Sequence, residues 1–134
     1  MNFRVQFQVL NVEATESEIS ELLLGFRSGL PDAYLEFLRA SNGAECGPND
    51  AEGDSLRILP SVEVVGWNAA YGFPDRLPHH LAFASDGGDY AFCFNRASSS
   101  DPNFWAVERV PLGAMAAEEC EPVAGSFSDW EKTG

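Results

Sequence analysis

The chain has 134 residues, a mass of 14.6 kDa, 45% hydrophobic and 22% charged residues. That is the size and balance of one globular domain with its own core, not of a disordered or fibrous chain. Lys and Arg total 8 against 21 Asp and Glu, a net charge of −13; no basic cluster exists to neutralise phosphates, which excludes nucleic acid and anionic membrane surfaces as partners.

The first residues alternate: Phe3, Val5, Phe7 and Val9 against Arg4, Gln6 and Gln8. A period of two predicts a half-buried strand over 3–9. Polar residues at every second position also deny the segment the apolar core of a signal peptide, and no longer apolar run spans a membrane, so a cytoplasmic location is expected. Thr15 and Glu18 have capping-box spacing. Ile19, Leu22, Leu23 and Phe26 then recur at helical intervals, and Gly25 and Gly29 end that helix. Pro31 and Asp32 suit the first turn of a second helix, with Tyr34, Phe37 and Leu38 as its apolar face and Asn42-Gly43 as a left-handed stop. Residues 44–55 are acidic and glycine-rich and read as a loop.

A short strand is expected at 56–59. A third helix follows from Pro60 or Ser61, with Val62, Val65 and Ala69 on one face. Gly72, Pro74 and Pro78 make 71–80 a loop. Residues 81–85 and 90–95 read as strands joined by Asp86-Gly87-Gly88-Asp89, a tight hairpin signal in which both glycines permit positive φ. Residues 105–110 alternate again, with Trp105, Val107 and Arg109 against Ala106, Glu108 and Val110. Ser126 and Asp129 cap a last short helix carrying Phe127 and Trp130. Helices first and last with hairpin-linked strands between them predict one α+β domain over 1–134, its sheet mainly antiparallel with helices packed at one face.

Catalytic constellations are weak. His79 and His80 are adjacent in a proline-bounded stretch and read as solvated, without a nucleophile elbow or a papain-like cysteine. Cys46, Cys93 and Cys120 form no CxxC pair, so they read as reduced thiols, Cys93 buried as a small hydrophobe. The stretch 49–54 fails the EF-hand spacing from either register, because neither places Gly sixth and Glu twelfth. No catalytic, cofactor or metal site is therefore expected. Acidic residues cluster at Glu13, Glu16, Glu18 and Glu21, at Glu45, Asp50, Glu52 and Asp54, and at Glu118, Glu119 and Glu121. Each cluster alone is an ordinary solvated face; together they present an anionic surface to a basic partner.

Leu30, Pro31, Tyr34, Phe37 and Leu38, followed by Asn42-Gly43, resemble the LP-x-x-[YF]-x-x-[FL]-L…NG signature of the SUKH superfamily. Residues 81–90, a strand running into Asp86-Gly87-Gly88-Asp89, are similar to that family's next element. Residues 104–107 and 126–130 resemble its following strand and its closing F-S-x-[FW] helix. The resemblance runs over about 15–131. It departs in the added strand before residue 14 and in a shorter last helix. The signature residues Leu30, Pro31, Tyr34, Phe37, Leu38, Asn42, Gly43, Gly87 and Gly88 all have architectural roles. The family includes a yeast cell-wall-assembly regulator and bacterial toxin-immunity proteins, so the resemblance implies binding and not catalysis. The expected partner is a basic, nuclease-type toxin domain. Its expected contacts are Glu45, Asp50, Glu52 and Asp54 with Asp86 and Asp89. Two other readings are a regulatory scaffold with another partner, and a small-ligand binder or enzyme using carboxylates near Trp67, Tyr71 and Trp105.

Overall fold

A computed structural model describes residues 9–26, 29–46 and 56–133. Among them, seven strands form one antiparallel sheet in chain order: β1 (Val9–Leu10), β2 (Ala44–Cys46), β3 (Leu56–Ile58), β4 (His80–Ser85), β5 (Tyr90–Asn95), β6 (Ala106–Pro111) and β7 (Glu121–Ala124). Helices α1 (Glu16–Gly25) and α2 (Asp32–Ala40) lie between β1 and β2. Helices α3 (Ser61–Ala70) and α4 (Phe73–Arg76) lie between β3 and β4, and α5 (Phe127–Thr133) follows β7. The α+β reading holds. Of the strand expected at 3–9, Val9 is in β1 and 3–8 lie outside the described residues.

The capping box closes as expected: the Glu18 amide donates to Thr15 Oγ1 at 3.1 Å and the Thr15 amide to Glu18 Oε1 at 2.9 Å. Helices α2 and α3 start differently. Each has proline at its N-cap, Pro31 and Pro60, with no side-chain oxygen to offer. Asparagines from elsewhere supply the missing acceptor. Asn103 Oδ1 accepts from the Asp32 amide at 2.7 Å, and Asn42 Oδ1 accepts from the Ser61 amide at 2.7 Å. Asn42 thus does more than stop α2; its carbonyl also accepts from Asn11 Nδ2 at 2.7 Å, which ties α2 to the chain leaving β1. Beside it Gly43 has φ +89°, and a Cβ there would sit 2.7 Å from the Ile58 carbonyl oxygen. Both the backbone angle and the close approach demand glycine.

The two faces of the sheet bury different material. Toward α1, α2 and α5 lies an aromatic core of Tyr34, Phe37, Phe83, Phe94, Phe127 and Trp130. Phe83 and Phe94 stack at 4.3 Å, and Trp130 meets Phe83 edge-on at 5.0 Å. The signature residues Leu30, Tyr34, Phe37 and Leu38 all belong to this core. On the opposite face the strands present Ala82, Ala91, Cys93 and Val110, covered by Phe73, Leu77 and Met115.

Several expectations are corrected. Residues 44–46, read as loop, form β2 against β3. Strand β7 had no reading; it is an edge of exposed Glu121, Pro122 and Val123 without an alternating pattern. The span 71–80 contains α4, whose Phe73 and following Leu77 are buried. In α3 the face of Val62 and Val65 is exposed, at 65% and 50%, and the buried residues are Ser61, Val64 and Asn68. Strand pairing explains why. Strand β3 ends before it can pair Ala82, and the Asn68 amide takes its place. Its Nδ2 donates to the Ala82 carbonyl at 2.9 Å and its Oδ1 accepts the Ala82 amide at 2.8 Å. The need to satisfy a buried backbone edge overrides the apolar count of the helix. In the hairpin only Gly87 has positive φ, +98°; Gly88 does not.

Candidate functional site

The register gathers part of the acidic surface. Glu45 on β2 lies opposite Arg57 on β3, and Arg57 opposite Ser85 at the end of β4. The hairpin 86–89 follows at once. Strand β6 ends at the same end of the sheet, where Leu112 donates to the Asp89 carbonyl at 2.9 Å, and β7 begins there with Glu121. Exposed Glu45, Asp89, Glu118, Glu119 and Glu121 therefore share one end of the sheet. Two arginines stand among them, and each is engaged by an acid. Arg57 donates to both oxygens of Glu63 at 2.8 Å. Arg109 pairs with Glu121 at 2.9 Å and lies 4.5 Å over the Tyr90 ring. Glu45, Asp89, Glu118 and Glu119 have no ion pair among the described residues.

Asp86 differs from the others. Its Oδ1 accepts three backbone amides, from Gly88, Asp89 and Tyr90, at 3.1, 3.0 and 2.9 Å. This carboxylate builds the turn. Asp50, Glu52 and Asp54 lie outside the described residues, but the paired strand ends that flank them, Cys46 and Leu56, open at this same end of the sheet.

The aromatic trio considered for a small ligand does not assemble. Trp67 stacks on Tyr71 at 4.2 Å. Trp105 is buried, donates to the Ser99 carbonyl at 3.0 Å, and borders a cavity of about 350 Å³ whose ionisable lining is His79 and Arg96. No carboxylate lines that cavity among the described residues.

A polar cluster lies on the opposite face of the sheet from the aromatic core. His80, read as solvated, is 8% exposed because it begins β4 with its ring under cover. Its Nε2 lies 2.7 Å from Glu108 Oε1, and Asn95 Nδ2 donates to Glu108 Oε2 at 3.0 Å. Cys120, at the entry to β7, completes the group: one donor atom each from His80, Glu108 and Cys120 lie within 4.8 Å of one another. Burial pushes the Cys120 thiol up, with Glu108 and Glu118 adding to it. Burial does the same to Cys93, which faces Glu108 across the β5–β6 register. The alternation at 105–110 already sets Glu108 on the face of Val110. The other partners were hidden by the bulge in β4 between Ala82 and Ala84 and by the unpredicted β7.

No helix among the described residues is long and apolar enough to cross a membrane. The model of the SMI1 / KNR4 family (SUKH-1) matches residues 13–132. No curated protein matches the chain at a significant level.

Proposed function

The chain belongs to the SMI1 / KNR4 family (SUKH-1), and from that membership we propose that it acts by binding another protein, as a cytoplasmic bacterial immunity protein that neutralises a basic, nuclease-type toxin domain. The observation that carries this reading is the charge of −13 together with the unpaired carboxylates at one end of the sheet. A nuclease must be basic to hold its substrate, so an acidic inhibitor is drawn to the surface it has to block. The proposed contacts are Glu45, Asp50, Glu52 and Asp54 together with Asp86 and Asp89, of which Asp86 also holds the hairpin in shape. Binding needs no catalytic residue and no cofactor.

The test is affinity capture from cells of the source organism at low ionic strength, eluted by a salt step. The eluted protein is then expressed with and without this chain. The expected result is a basic protein that is toxic alone and harmless in the presence of this chain. A partner that resists the salt step, or whose toxicity is unchanged, contradicts the reading.

A further inference from the structure

We propose that His80 Nε2, Glu108 Oε1 and Cys120 Sγ form a binding site for one Zn²⁺ ion on the face of the sheet opposite the aromatic core. The donor set is the first reason. An imidazole nitrogen, a carboxylate oxygen and a thiolate sulfur are the three ligand types zinc takes from proteins. Spacing is the second. With zinc bonds of about 2.0–2.3 Å, tetrahedral ligand atoms stand roughly 3.3–3.6 Å apart. One donor atom from each residue lies within 4.8 Å of the others, and His80 Nε2 stands 2.7 Å from Glu108 Oε1. To take the ion, the 2.7 Å His80–Glu108 pair would open toward that spacing and the Cys120 thiol would give up its 3.4 Å hydrogen bond to the Ala116 carbonyl.

Charge is the third reason. One carboxylate and one thiolate neutralise a divalent cation, so the loaded site carries no net charge in partly buried surroundings, and the histidine is required only in its neutral form. The thiol proton leaves to solvent as the sulfur binds. Outer contacts are already in place: Asn95 holds Glu108 Oε2 at 3.0 Å and leaves Oε1 toward His80. Such a partner orients the ligand carboxylate. The ligands come from β4, from β6 and from the residue just before β7, an exposed edge strand with a register shift against β6. Zinc here would fasten that edge to the middle of the sheet.

The experiment is a Co²⁺ titration of the full chain followed by optical absorption, with Zn²⁺ added as competitor. The expected result is a thiolate-to-cobalt charge-transfer band and tetrahedral ligand-field bands that saturate at one ion per chain and vanish on adding Zn²⁺. Cys120→Ser should lose the charge-transfer band while keeping the far-ultraviolet circular dichroism of the metal-free chain. His80→Gln should weaken binding, and Cys46→Ser should leave the band intact. If the wild type gives no charge-transfer band, or if Cys120→Ser keeps it, the site is overturned. Ligand-field bands of octahedral type without the charge-transfer band would mean that surface carboxylates bind the ion, which also overturns it.

Discussion

The two faces of this sheet do opposite jobs. One meets α1, α2 and α5 through close-set aromatic rings. The other presents small residues and a hydrogen-bonded group of His80, Asn95 and Glu108. Tyr34, Phe37 and Leu38 of the family signature lie on the first face, and Asn42, Gly43 and Gly87 shape the turns that bring chain to it. The signature is thus a packing code. The proposed zinc ligands lie on the second face, apart from these packing residues, and the proposed contacts Glu45 and Asp89 lie at the sheet end, where the signature contributes the hairpin 86–89.

Truncating a ring should show the largest effect. Phe83 is fully buried and contacts Tyr34, Phe94, Phe127 and Trp130. Phe83→Ala is expected to lower unfolding stability by about 3–5 kcal/mol in urea titration. Glu108→Ala probes the other face in metal-free buffer. It leaves His80 and Asn95 without their shared acceptor in partial burial, and the expected loss is about 1–3 kcal/mol. Equal losses for the two variants would break the contrast between an apolar face held by volume and a polar face held by hydrogen bonds.

The smallest change sharpens it. Tyr34 is fully buried, and its hydroxyl has no hydrogen-bond partner among the described residues. Tyr34→Phe should leave stability unchanged or raise it by about 1 kcal/mol, since a buried unmatched hydroxyl only costs desolvation. Burial also pushes the ionisation of Tyr34 well above its ordinary value. As pH rises past about 10 the unfolded chain then ionises at this residue before the folded one, and stability falls. The Phe variant lacks that contribution, so its advantage should widen with alkaline pH in paired denaturant titrations. A constant difference would mean the hydroxyl is not desolvated.

Much of the first face was legible in sequence because each element there repeats one physical rule. Thr15 and Glu18 cap, Tyr34, Phe37 and Leu38 form one stripe, and Asp86 to Asp89 turn. The misreadings share a cause as well. The apolar Val62 and Val65 face solvent because Asn68 must satisfy Ala82, a need set by how far β3 extends. His80 is buried because β4 opens on it, paired with Asn95 of β5, at the end of a stretch rich in proline and glycine. Strand β7 carries no alternation, since neither of its faces is deeply covered. Of the acidic site, composition revealed the charge. The gathering of Glu45, Asp89, Glu118 and Glu119 at one end depends on strand register, which only tertiary pairing sets.

The most direct test of the proposed inhibitor is its association rate with the captured toxin domain across ionic strength. The wild type is compared with the chain carrying Glu45→Lys, Asp50→Lys, Glu52→Lys and Asp54→Lys together. If the acidic sheet end guides the encounter, the variant should associate at least about tenfold more slowly at low salt, and the gap should close as salt screens the field. Equal rates for both chains at low salt would contradict it.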